Sequence, residues 1–301
     1  MKKLILFLKG MFMGAADIIP GVSGGTIALI TGIYDELIKS INCIDKEFIK
    51  DLLSLKFKKM FNKINFKFLI PIFLGILTSI FSMANLMHYL INQKPIETWS
   101  VFFGIILTSS FILSKKIKIN KLHLINIVLG AIFSYFLVGI VPVKTPNTLL
   151  FLFFSGSVAI CAMILPGISG AFLLLILGKY NYITEILKSP FSKGNPLQLI
   201  IFALGCLFGL LSFAKFLNHL LKRYHGSTIA FLTGLMLGSL RKIWPFKKAL
   251  ETKLIDGEIY TIKEKLILPW NVEVGLTKSL FFIFIGILII LTIDYFSNLE
   301  K

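Results

Sequence analysis

Two short stretches hold the residue types best able to grip an anion: Asp17-Ile18-Ile19-Pro20-Gly21-Val22-Ser23-Gly24-Gly25-Thr26 and Ile164-Leu165-Pro166-Gly167-Ile168-Ser169-Gly170-Ala171. Each drops a Pro-Gly-x-Ser-Gly turn into an otherwise apolar run. Gly21, Gly24 and Gly25 let the backbone come close to a ligand, as do Gly167 and Gly170 in the second copy. The segment after each turn begins a helix, whose N–H groups and positive dipole end suit an anion, above all a phosphate. Ser23, Thr26 and Ser169 add hydroxyls. Offset by 146 positions, residues 20–34 match residues 166–180 at eight of fifteen places, among them Pro20/Pro166, Ser23/Ser169, Gly32/Gly178 and Tyr34/Tyr180. Interrupted hydrophobic segments at corresponding places in two halves point to the binding site of a transporter. The competing explanation is a close-packing kink built from small residues. Two copies in corresponding positions favour the functional one.

Charges inside apolar runs are costly and draw attention next. Asp17 sits three residues before Pro20, and its counterpart is Met163. Lys215 lies within the 197–221 run, opposite Asn85. An acid near one turn and a base on a crossing can serve proton or substrate coupling; a helix-terminal or packing role for Asp17 and snorkelling for Lys215 are the alternatives. His88 and His219 read as interfacial histidines. Cys43, Cys161 and Cys206 are single, with neither metal nor redox spacing. No nucleophile elbow, P-loop, zinc-type histidine pair or intramembrane carboxylate cluster occurs. No catalytic residue, metal or cofactor is therefore expected, with coupling to protons or sodium left open.

The elements positioning these residues are hydrophobic. Of 301 residues, 56% are hydrophobic and the mean hydropathy is +0.84. A soluble fold could not cover so much apolar area, so the bilayer is the solvent for most of it. Apolar segments run over 4–19, 25–38, 68–91, 99–114, 122–141, 149–165, 171–187, 197–221, 228–240 and 279–296. A straight crossing needs about twenty apolar residues. The pairs 4–19/25–38 and 149–165/171–187 fall short and are joined by Pro and Gly, which predicts two re-entrant hairpins. At an offset of 130, Gly75 matches Gly205 and Gly104 matches Gly234, extending the duplication. The expected fold is an all-α polytopic membrane protein of two repeats. Residues 1–141 comprise a hairpin (4–38), an amphipathic connector (39–67) and three crossings. Residues 142–301 comprise a hairpin (149–187), three crossings and a polar loop (241–278). Three crossings per half turn the second half upside down, an inverted repeat.

The net charge is +17, mostly from lysines outside the apolar runs. Cytoplasmic loops and contact with anionic membrane lipids account for most of them, with attraction of an anionic substrate second. Lys2, Lys3, Lys9, the 39–67 connector, Lys115-Lys116-Ile117-Lys118 and Lys222-Arg223 fall on the cytoplasmic side. The 241–278 loop would then be external despite Arg241, Lys242, Lys247 and Lys248. No compact basic module remains for nucleic acid. Met1-Lys2-Lys3-Leu4 resembles the start of a signal peptide but runs straight into the first turn, so the segment is expected to be retained. No oligomeric state follows from the sequence.

The stretch Met13-Gly14-Ala15-Ala16-Asp17-Ile18-Ile19-Pro20-Gly21-Val22-Ser23-Gly24-Gly25-Thr26, with Leu165-Pro166-Gly167-Ile168-Ser169-Gly170, resembles the bacterial polyprenyl-phosphate transporters, formerly a domain of unknown function. The resemblance covers nearly all of the chain. It implies a plasma-membrane flippase that returns undecaprenyl phosphate from the outer to the inner leaflet for cell-envelope polymer synthesis. By resemblance the substrate-binding residues are those of the two motifs, Asp17 to Thr26 and Pro166 to Gly170; Lys215 is an additional candidate. The second copy lacks the acid and the second glycine of the first. Two alternatives stand beside this one. An undecaprenyl-diphosphate phosphatase uses similar turns but carries Arg where Gly24 and Gly170 stand here. An ion-coupled carrier of a small soluble anion is the other.

Overall fold

The computed structural model describes residues 2–18, 22–44, 48, 54, 56, 63, 65–140, 142–143, 145–192, 194–255, 258–268 and 276–299. The chain is helical almost throughout, and the helix boundaries follow the apolar runs. The first half contains α1 (Lys2–Asp17), α2 (Gly24–Ile30), α3 (Tyr34–Asn42), α4 (Phe66–Gln93), α5 (Pro95–Lys116) and α6 (Lys121–Leu137). The second contains α7 (Leu149–Ile164), α8 (Gly170–Ile176), α9 (Tyr180–Lys188), α10 (Asn195–Arg223), α11 (His225–Ser239) and α12 (Leu276–Leu299). The amphipathic connector expected over 39–67 falls largely outside the described residues.

Among the described residues four helices are long and apolar enough to cross a membrane: α4, α5, α10 and α12. With α6 at 17 residues and α11 at 15, these two fall short of the roughly twenty residues of a straight span. They pack against each other along their lengths, as α5 packs against α12. In the same way α1 packs on α4 and α7 on α10. Every one of these contacts is made through glycines that let two backbones touch, which is how apolar helices associate where lipid removes the hydrophobic incentive. Gly75 lies against the Phe7 carbonyl and Gly205 against that of Phe153; Gly104 lies against the Ile283 carbonyl and Gly234 against that of Ile127. The residue pairs matched at an offset of 130 therefore make matching contacts.

Each expected hairpin has two breaks rather than one. Beyond the first turn α2 runs for only 7 residues, about 10 Å, before Thr31-Gly32-Ile33 redirects the chain into α3. The second half repeats this: α8 has 7 residues and meets α9 at 110°. Gly32 (φ +72°) and Gly178 (φ +63°) occupy the left-handed conformation at these bends, which explains a glycine at both matched positions. The bends fold back beside the segments that lead into the turns. Lys9 Nζ of α1 donates to the Thr31 carbonyl at 3.0 Å. At the corresponding place Thr145 Oγ1, just before α7, donates to the Leu177 carbonyl. Lys179, fully buried at the second bend, donates to the carbonyls of Thr145 (3.0 Å) and Pro146 (2.8 Å) and to Asn147 Oδ1.

One element departs from an all-α architecture. Within the expected polar loop, β1 (Lys247–Ile255) and β2 (Glu258–Leu266) form an antiparallel pair whose register places Lys247 opposite Leu266 and Ile255 opposite Glu258. Two residues, Asp256-Gly257, separate the strands. Asp-Gly between alternating apolar and polar residues is a strong short-range hairpin signal, and the charge of the segment had masked it.

Candidate functional site

The two turns meet. Ser23 is the N-cap of α2: its Oγ accepts the Gly25 N–H at 3.0 Å and donates to the Met163 carbonyl of α7 at 2.9 Å. Tyr34 Oη donates to the Ile164 carbonyl at 3.2 Å. These are the last carbonyls of a helix and have no partner within it, so hydroxyls from the first half satisfy the broken end of the second. In return the Gly167 N–H donates to Thr26 Oγ1 at 2.9 Å. Gly25 lies so close to the Ile164 carbonyl that a Cβ could not be placed there.

The exchange is not symmetric. Thr26 corresponds to Phe172 and Asp17 to Met163 in the second copy, so the Gly167–Thr26 bond has no mirror-image acceptor and the Asp17 carboxylate has no counterpart, although Ser169 and Tyr180 keep the hydroxyls of Ser23 and Tyr34. Ser169 caps its own helix by accepting the Phe172 N–H at 3.5 Å. Gly167 (φ +84°) packs on α11, where a Cβ would stand 2.9 Å from Met236 Cα and 3.0 Å from Ser239 Oγ. Helix α2 is buried along its whole length, and Pro166 to Gly170 are all buried.

Asp17 ends α1 and reaches across the first turn. Its Oδ1 accepts the Gly24 N–H at 2.7 Å, and its Oδ2 lies 2.6 Å from where a Gly24 Cβ would be. The half-buried carboxylate thus fills the position in which an external anion would meet α2. Of the N–H groups at the two turns, those of Gly24, Gly25, Gly167 and Phe172 are engaged here by Asp17, Ser23, Thr26 and Ser169. Pro20 and Gly21 lie outside the described residues.

Lys215 is not part of this assembly. It is exposed on α10, whose buried face carries Ala214, Leu217, Asn218 and Leu221, and it makes none of the contacts joining the turns. Lys215→Met should leave transport within about twofold of wild type, as expected for a surface change worth about 0.5 kcal/mol or less. A greater loss in a liposome transport assay would restore the residue to the substrate path. Among the described residues the fully buried lysine is Lys179. It satisfies the same criterion of a charge within a hydrophobic run, and its oxygen partners in 145–147 are what sequence alone did not reveal. Tyr34 was visible only as a repeated position; its role needed the fold.

Among the described residues no cluster of three His, Cys, Asp or Glu could hold a metal ion. The chain matches, over residues 13–259, the sequence profile of a family described as undecaprenyl phosphate translocase-like. It is 42% identical over 303 residues to a polyprenyl-phosphate transporter of Vibrio cholerae, covering 100% of this chain and 97% of that protein. A polyprenyl-phosphate transporter of Staphylococcus aureus is 34% identical over 260 residues, covering 81% and 87% respectively. No solved structure matches the chain. Profile, full-length relatives and apolar helices agree: this is a multi-pass bacterial membrane protein belonging to the undecaprenyl phosphate translocase-like family of transporters.

Proposed function

We propose that the protein carries a polyprenyl phosphate, undecaprenyl phosphate above all, from the outer to the inner leaflet, with the phosphate held where the two turns meet. The observation that carries this reading is the reciprocal docking of the two broken helices, Ser23 on the Met163 carbonyl and the Gly167 N–H on Thr26. That junction joins the first turn, where the Gly24 N–H is held by Asp17, to the second, where the Gly167 N–H is held by Thr26. A phosphate displacing the Asp17 carboxylate would inherit the Gly24 N–H and the positive end of α2. The isoprenoid tail can remain in lipid, so no cavity for the whole substrate is needed.

The helix pairings are consistent with two inverted repeats, residues 1–141 and 142–301, each a re-entrant hairpin followed by three crossings. On this arrangement α6 and α11 are the short third and second crossings. The contacts also differ between the halves: α3 packs on α10, and Asp35 of α3 lies 3.2 Å from His225, whereas α9 has no comparable packing on α4. Alternating access would exchange these two arrangements. Coupling to protons is preferred to sodium because the Asp17 carboxylate holds a backbone N–H, and among the described residues no group of three His, Cys, Asp or Glu gathers to hold a cation. The protein acts as a transporter and not as a phosphatase: Gly24 and Gly170 stand where a phosphoryl transition state would need a cation.

Reconstitution tests the reading. Liposomes containing the protein should move a fluorescent polyprenyl phosphate out of reach of a membrane-impermeant quencher, and cells depleted of it should accumulate the lipid phosphate at their surface. Unchanged surface exposure on depletion would refute the lipid substrate. Sustained phosphate release from the diphosphate lipid would replace transport by catalysis.

A further inference from the structure

A second feature lies just beyond the second turn. The Phe103 side of α5, Tyr135 of α6, the end of α11 and the loop clasped by the β-hairpin enclose a groove of about 400 Å³. This falls in the range of ligand sites. Its walls are held in place. Trp244 Nε1 donates to the Ile267 carbonyl at 2.9 Å, and the Trp244 ring meets Phe103 edge-on, 5.4 Å between centroids at 77°. The Ile267 N–H donates to the Phe246 carbonyl at 2.9 Å. Leu237 and Leu268 complete an apolar lining, and Tyr135 and Leu268 are about half exposed, so the groove opens outward along apolar side chains.

One cation stands in this apolar wall. The Arg241 guanidinium lies 4.3 Å over the Tyr135 ring and donates Nη1 to the Tyr135 carbonyl at 2.9 Å. It rests on Gly139, at a point where any Cβ would collide with it. No acidic side chain pairs with it among the described residues, and it has five N–H donors, so most remain for an oxyanion. Arg241 follows Ser239 by two residues, and Ser239 packs on Gly167 of the second turn. Groove, guanidinium and turn are therefore contiguous.

We infer that this groove is a receiving site for the prenyl phosphate before its head reaches the turns: Arg241 takes the phosphate, and the first isoprene units lie between Phe103, Trp244 and Leu237. Fixed cation and apolar channel complement the two ends of such a molecule, whereas a free phosphate would leave the channel unused and an uncharged prenol would leave the guanidinium unpaired. The inference rests on the substrate reading given above.

Full-length protein in detergent, titrated calorimetrically with geranylgeranyl phosphate, tests it. Arg241→Gln should weaken binding at least about tenfold, the usual worth of a charge-assisted hydrogen bond to phosphate. Arg241→Lys should recover part of this, and Leu237→Trp should reduce affinity by obstructing the channel. A diazirine-bearing prenyl phosphate should label peptides containing Trp244 or Leu268, with geranylgeranyl phosphate protecting and phosphatidylglycerol not. Unaltered affinity in both Arg241→Gln and Leu237→Trp, or equal protection by phosphatidylglycerol, would overturn the receiving site. If these variants still transport at wild-type rates in liposomes, the groove is dispensable while the transporter reading stands. If wild-type protein moves no polyprenyl phosphate, it is the reading of function that fails.

Discussion

Gly25→Val should abolish transport while the membrane helices still insert. The valine Cβ would stand 2.4 Å from the Ile164 carbonyl oxygen and 3.1 Å from Ser23 Oγ, and the Ile164 carbonyl is backbone at the broken end of α7. Neither side can yield without moving a turn. Overpacking of this kind costs about 1–3 kcal/mol. Separating the turns also releases the Ser23–Met163 and Gly167–Thr26 hydrogen bonds, each worth about 0.5–1.5 kcal/mol net and more if the groups stay buried without partners. Several kcal/mol at the junction correspond to a loss of at least about a hundredfold in transport rate if the docked geometry is the working one. Gly32→Ala is the matching control. It has nothing within 4 Å of its Cβ position and a φ of +72°, so the cost is backbone strain of about 1–2 kcal/mol at the exposed bend on the other end of α2, with no clash at the Gly25–Ile164 contact. Its transport should stay near wild type, while Gly25→Val transporting normally would contradict the docking of the turns as a functional feature.

Asp17→Asn should keep the fold and lose transport. The asparagine oxygen can still accept the Gly24 N–H, so the N-terminus of α2 stays capped and thermal stability should change by less than about 1 kcal/mol. What disappears is the charge. With it goes the exchange of an internal carboxylate for an external phosphate, together with any proton that accompanies the exchange. A fall of at least about tenfold in liposome transport is expected, equivalent to about 1.4 kcal/mol. Asp17→Ala should add instability, because the Gly24 N–H is then left without its partner at a cost of about 1–3 kcal/mol. The pair separates the two roles of the residue. Wild-type transport by Asp17→Asn would reduce Asp17 to a helix cap and remove the coupling proposal.

Much of this arrangement is legible before any coordinates. The Pro-Gly-x-Ser-Gly turns, their offset of 146 and their helix-starting segments anticipate α2 and α8, because proline and glycine act locally and a serine N-cap needs only its neighbours. Gly75/Gly205 and Gly104/Gly234 were visible as matches, and backbone contact between helices is the reason for them. Other features depend on residues far apart in sequence. That the hydroxyls of Ser23 and Tyr34 serve the end of a helix 130–140 positions away is a property of the fold, as is the enclosure of Lys179 by the 145–147 carbonyls. Lys215 had the right chemistry in the right run, but helical phase alone decides that it faces outward while Ala214 and Leu217 face in. The β-hairpin escaped because five acids and several lysines in 241–278 suggest a solvated loop, although Asp256-Gly257 between alternating residues carries the turn signal.

The decisive measurement is a structure of the full-length protein with a short-chain polyprenyl phosphate bound. The account predicts phosphate density within hydrogen-bonding distance of the Gly24 or Gly25 N–H, with the Asp17 carboxylate displaced from Gly24. Phosphate seated elsewhere in a transport-competent protein, with Asp17 still on Gly24 and Thr26 still on Gly167, would contradict it.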